Sequence, residues 1–225
     1  MKIIKLLLAT ILSSGVIFAD TDSKIDIKTN VAIASNYIWR GMTLSANSPA
    51  IQGGLDLSYK GFYIGTWGSN VNFHNNASME LDLYAGYTNK INNIDYDVGY
   101  LQYIYPNESD NLNFAEAYFA LGYDFDIVAI DAKYFVGVDT NDAKDPSDDW
   151  TPKNSIEAGI TIPLPKDISF KGRAGKYVGT GVYYLTSFCK SFKKFDLSLE
   201  YTGMHYDNST KENEDHVLAI ISTSF

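Results

Sequence analysis

The stretch MELDLYAGY, residues 79–87, decides how this chain is read: Leu81, Leu83, Ala85 and Tyr87 fall on one face of an extended strand, and Glu80, Asp82, Tyr84 and Gly86 on the other. Successive side chains of a strand point to opposite faces, so one face here suits an apolar medium and the other water. SIEAGITI (155–162) sets Ile156, Ala158, Ile160 and Ile162 against Ser155, Glu157, Gly159 and Thr161. FDLSLEYT (195–202) sets Phe195, Leu197, Leu199 and Tyr201 against Asp196, Ser198, Glu200 and Thr202. A half-buried sheet in a soluble protein would alternate in the same way, so the choice between the two rests on the rest of the chain.

Alternating segments of about ten residues recur and are ended by Gly, Asn, Asp or Pro. They predict twelve strands at 28–40, 49–59, 62–72, 79–89, 94–105, 113–123, 127–138, 153–162, 168–177, 181–192, 195–204 and 215–225. Each has about the length of a tilted transmembrane strand, and the count is even. Short turns at Lys60-Gly61, 89–93, 124–126, 163–167 and Lys193-Lys194 alternate with longer polar loops at 41–48, 73–78, 106–112, 139–152 and 205–215. VGTG, after Tyr177, is the short member of the long set. Alternation of this kind belongs to an all-β, closed antiparallel transmembrane barrel with periplasmic termini. HVLAIISTSF (216–225) ends on Phe225, with Val217, Ala219 and Ile221 on the same face, as expected of a terminal strand recognised by the barrel-assembly machinery.

Residues 1–19, MKIIKLLLATILSSGVIFA, join Lys2 and Lys5 to an apolar run from Leu6 to Ala19 and read as a signal peptide, leaving 20–225 as one outer-membrane barrel domain. That run is shorter than the roughly 18 residues of a spanning helix, so any later crossing must be made by strands. Seventeen tyrosines, twelve phenylalanines and a mean hydropathy of −0.15 suit strands with one apolar and one polar face. The formal charge of −9 becomes −11 without the two leader lysines, which argues against a nucleic-acid partner. Cys189 is the sole cysteine, so no intramolecular disulfide and no thiolate metal cluster can form.

The segment 34–71, ASNYIWRGMTLSANSPAIQGGLDLSYKGFYIGTWGSNV, resembles the opening of the TorF-like porin family, also called Gcw_chp. The resemblance rests on Ser35, Asn36, Tyr37, Arg40 and Gly41; on Pro49, Ala50, Gln52, Gly53 and Gly54; and on Gly61, Tyr63, Gly65 and Trp67. It continues through ELDLYAGY (80–87), DVGYLQYIYP (97–106) and Glu116, and from about residue 139 only the general barrel pattern carries it. It implies an outer-membrane location and a passive channel, with no substrate attached.

The polar faces of the strands assemble a candidate lumen of Arg40, Gln52, Asp56, Glu80, Asp82, Glu116, Asp131, Lys133, Glu157, Lys171, Arg173, Asp196 and Glu200. Arg or Lys facing lipid at the midplane costs about 2–4 kcal/mol, so inward placement is expected wherever a strand spans. The reading favoured is a porin for small hydrophilic solutes, weakly cation-selective because acids outnumber bases. A barrel plugged by salt bridges, such as Arg40 with Glu80 or Asp82, is the alternative at this strand count. Tyr37, Trp39 and Trp67 are expected in the aromatic girdles at the membrane interfaces.

Catalysis is not expected. A hydrolase at the rim would draw on His74, His205 and His216, but no G-x-S-x-G pattern accompanies them. The acidic loop DTNDAKDPSDDWTP (139–152) starts like a calcium loop at Asp139 and Asn141, then breaks at Ala143 and Lys144. No metal or other cofactor is expected. Outer-membrane lipid, the assembly machinery and small solutes are the expected partners, and the oligomeric state stays open. A soluble periplasmic β-sandwich that binds a ligand remains a further alternative, one that leaves the terminal Phe and the loop alternation unexplained.

Overall fold

The computed structural model describes residues 24–108, 112–139 and 152–225. The expected leader (1–19) and nearly all of the acidic loop tested for calcium lie outside the described residues.

The chain forms a closed antiparallel barrel of twelve strands: β1 (Asp26–Ala34), β4 (Ala50–Tyr59), β5 (Phe62–Asn70), β6 (Met79–Ile91), β7 (Ile94–Ile104), β8 (Phe114–Asp124), β9 (Ala129–Asp139), β10 (Ser155–Leu164), β11 (Ile168–Tyr177), β12 (Gly181–Ser191), β13 (Asp196–Tyr206) and β14 (Glu214–Ser224). Two further strands, β2 (Ile38–Trp39) and β3 (Met42–Thr43), make a separate hairpin. Closure is made by β1, which pairs with β4 on one side and β14 on the other. Backbone bonds between Thr29 and Phe225, at 2.9 and 3.1 Å in the two directions, tie the end of the chain to its first strand. Among the described residues every strand of the barrel is paired on both sides, as a sheet in lipid requires.

The outer surface inverts a soluble protein. Ile33, Ile51, Leu83, Phe119, Ile156, Phe188, Leu199 and Val217 are exposed, whereas Glu80, Asp82, Asp97 and Glu116 are at most 1% exposed. A contiguous apolar belt around a barrel with its ionisable groups inside is what a hydrocarbon surround selects.

At the end that carries both termini the connections are tight. Lys60 (φ 51°) and Gly61 (φ 89°) make a two-residue turn with both residues left-handed, the type I′ geometry that matches strand twist. At the other end lie the longer connections, one of which is not an outer loop. The first strand stops at Ala34 rather than running to residue 40, and residues 35–49 fold into the barrel.

Candidate functional site

The inward segment begins where Ser35 anchors to β14: its N–H donates to the Ala219 carbonyl at 2.9 Å and its Oγ accepts the Ala219 N–H at 3.0 Å. Tyr37 N–H then donates to Ser45 Oγ at 2.9 Å, and Leu44 N–H to the Tyr37 carbonyl at 2.8 Å, closing the base of the β2–β3 hairpin. Asn36 Nδ2 bridges to Asn47 Oδ1 at 2.9 Å. The tip is Arg40 (φ 49°) and Gly41 (φ 80°), a second pair of left-handed residues between Trp39 and Met42. An arginine in this region is strained, and needs its surroundings to hold it there.

Those surroundings are the barrel wall. Glu116 on β8 accepts two parallel bonds from Arg40, at 2.7 and 2.9 Å, with the paired side chains 6% and 1% exposed. The guanidinium also lies 4.3 Å from the Trp39 ring centre, 4.8 Å from Phe135 and 5.0 Å from Tyr177. Burial by itself would lower the Arg40 pKa, but the Glu116 carboxylate outweighs it and holds the guanidinium charged. Tyr37 and Tyr105 hydroxyls both donate to Glu80, each at 2.5 Å. Burial, and then Glu80, push the Tyr37 hydroxyl up, which keeps it a donor. Tyr103 adds a bond to Glu116 at 3.0 Å. Thr43 N–H donates to Glu214 Oε2 at 3.0 Å, and a Cβ on Gly41 would lie 2.1 Å from the Gly203 carbonyl oxygen. The hairpin therefore touches walls from β6 to β14 and crosses the lumen.

Deeper in the barrel the inward residues form a second polar layer. Arg173 on β11 binds Glu157 at 2.8 Å and Asp131 at 2.7 and 2.9 Å, across Gly159. A Cβ at Gly159 would meet the guanidinium at 2.7 Å, so the glycine makes the room that this pairing uses. Tyr63 donates to Asp97 at 2.7 Å and is hydrogen-bonded to Tyr118, while Tyr84 donates to Asp56 at 2.5 Å. Lys133 lies 5.2 Å from the Tyr118 ring centre. Lys171, Ser187 and Glu200 share one level on three successive strands. Gln52 and Asp196 also fall on inward positions of their strands, as the alternation along β4 and β13 shows. Among the described residues, neither carboxylate oxygen of Asp82 has a hydrogen-bond partner, nor does Trp67 Nε1.

The girdle expectation needs correction, as do two particulars of the alternatives. Tyr37 and Trp67 are 4% and 3% exposed and pack together inside the barrel with ring centres 5.4 Å apart. Trp39 packs within 5.5–6.0 Å of Tyr103, Phe114 and Tyr177. None of the three sits in an interfacial girdle: Trp67 shares the inward parity of Tyr63 and Gly65, opposite Phe62 and Ile64, and the other two belong to the infolded hairpin. Arg40 pairs with Glu116 and not with Glu80 or Asp82, because the hairpin carries it past β6, where two tyrosine hydroxyls already occupy Glu80. The histidines of the disfavoured rim hydrolase do not all share a face: His205, expected in a loop, lies between the inward Met204 and Tyr206 on β13 and faces outward, whereas His216 takes the inward parity of Leu218 and meets Glu214 at 3.1 Å.

Comparison with solved structures gives the fold independent support. The "KdgM porin" superposes with a TM-score of 0.58 at 9% identity, covering 88% of this chain and 97% of that one. The "KdgM porin in complex with disordered oligogalacturonate" superposes with the same TM-score at 8% identity and the same coverage. At these identities the likeness shows the fold alone, a closed antiparallel barrel resembling that of porins. No curated protein matches the sequence. A bacterial protein family described as of unknown function, Gcw_chp, matches residues 18–189, and the chain belongs to that family.

Proposed function

We propose that this chain is an outer-membrane channel through which small hydrophilic solutes diffuse passively, narrowed by the β2–β3 hairpin. The observation that carries the reading is a closed barrel with Glu80, Glu116, Glu157 and Arg173 inside, whose lumen is crossed by a hairpin that is hydrogen-bonded to the wall and is not one of its strands. A leader at 1–19 would deliver the mature chain across the inner membrane, and the strand ending at Phe225 would be read by the barrel-assembly machinery.

The solutes we favour are neutral or cationic. Asp56, Glu80, Asp82, Asp97, Glu116, Asp131, Glu157 and Glu200 outnumber Arg40, Lys133, Lys171 and Arg173 on the inner face, which therefore presents a net negative field. One solved porin of this fold was captured with oligogalacturonate. An acidic polymer of that kind would meet repulsion here. The outward placement of His205 favours transport over a rim hydrolase.

The opposing reading is a plugged scaffold, supported by the density of bonds on the hairpin. Liposome swelling separates the two. Proteoliposomes holding the folded, heat-modifiable mature chain should swell in small neutral sugars and not in large ones. Folded barrels that admit no solute would establish the plug.

A further inference from the structure

We propose that the outward-facing bowl above the hairpin is a binding site for a small anion with a flat apolar body, of the aryl-carboxylate class. The bowl has a volume of about 480 Å³, within the roughly 300–1,000 Å³ typical of small-molecule sites. Its lining includes the rings of Trp39, Phe73, Tyr105, Tyr177 and Tyr206, and two lysines, Lys153 and Lys211, complete it.

The rings and the two lysines set the ligand class, and the tyrosine hydroxyls are consistent with it. Three of these rings are tyrosines, which in a sugar site would offer hydroxyls to the ligand. Here Tyr105 already donates its proton to Glu80 and Tyr206 to Glu214, each at 2.5 Å. The bowl therefore offers a ligand mainly ring faces and edges, with two of its three tyrosine hydroxyl protons already committed.

Among the described residues lining the bowl, Lys153 and Lys211 carry its formal charge, although the chain carries a net −9. Lys211 Nζ lies 3.8 Å from the Tyr206 ring centre, and Lys153 Nζ is 3.4 Å from the Gly179 carbonyl oxygen. Asp207, which follows Tyr206, is paired with Lys176 at 2.5 and 2.6 Å. An aromatic body on the rings with its carboxylate toward the lysines would use both features together. The inner constriction below is acidic, so such an anion would be held at the mouth and not drawn through.

Ligand-observed saturation-transfer NMR tests this on the full mature chain in lipid nanodiscs, with 3-phenylpropionate as probe, 3-phenylpropanol as its neutral counterpart and empty discs as the background. We expect saturation of the carboxylate well above empty discs. Lys153→Gln with Lys211→Gln should weaken it by about fivefold, the scale of two exposed ion pairs, and leave the alcohol unchanged. Phe73→Glu should abolish carboxylate binding while the barrel stays heat-modifiable. Signal no greater than in empty discs, or a carboxylate indifferent to both lysines and to Phe73→Glu, would overturn the proposal. Neither outcome depends on whether the barrel conducts.

Discussion

Arg40, at the tip of a hairpin inside the barrel, is bound by two parallel hydrogen bonds to Glu116 on β8, five strands round the wall from β1. Both side chains are removed from solvent, so neither can lose its partner cheaply. Removing one member of a buried ion pair costs roughly 3–5 kcal/mol, because the other is left charged and unpaired. Arg40→Ala should therefore release the hairpin, and current traces should show larger steps that flicker between levels. Arg40→Met with Glu116→Gln removes both charges and should restore steadier currents. Steps of unchanged size in Arg40→Ala would mean that the tip is held by its other contacts.

Gly41 makes the same test without touching a charge. Its left-handed φ of 80° disfavours any side chain, and an added Cβ would fall 2.1 Å from the Gly203 carbonyl oxygen. Gly41→Ala should unseat the tip while the barrel still forms. Trypsin digestion of the folded protein is expected to cut at Arg40 in this variant and not in the parent.

Facing decides which charges the wall accepts. Leu199 is 58% exposed on the lipid side, and its neighbour Ser198 points inward. Leu199→Lys should lower folding stability by about 2–4 kcal/mol and Ser198→Lys by much less. Urea titration of the barrel in vesicles, followed by heat-modifiability, reads the difference; equal losses would contradict the assigned facing.

The inner face should favour cations. Across a salt gradient the reversal potential is expected on the cation side, moving toward zero in Asp56→Asn combined with Glu200→Gln. An anion-favouring potential in the parent would overturn the electrostatic reading of the lumen.

Much of the architecture was legible in the sequence because a barrel wall repeats one rule. Alternation along MELDLYAGY, the turn residues at Lys60-Gly61 and the even strand count each follow from strand geometry, and no tertiary contact overrides them. The hairpin was not legible, since Tyr37 and Trp39 continue the apparent alternation of β1 past Ala34, and only the left-handed Arg40-Gly41 pair marks a turn. Arg-Gly is a weaker turn signal than Asn-Gly. Trp67 could have been placed from parity alone, as it lies two residues from Gly65 and four from Tyr63, on the face away from Phe62 and Ile64. That Glu80 and Glu116, far apart in the chain, serve one hairpin is a property of closure, which no local pattern contains.

The central claim is that residues 35–49 narrow an otherwise open channel. Single-channel conductance in planar bilayers tests it most directly, with the mature chain set beside a variant in which 36–47 is replaced by a short Gly-Ser link. The account predicts small steps from the parent and steps several times larger from the variant, both from heat-modifiable barrels. Equal conductance in the two, or silence in both, would contradict it.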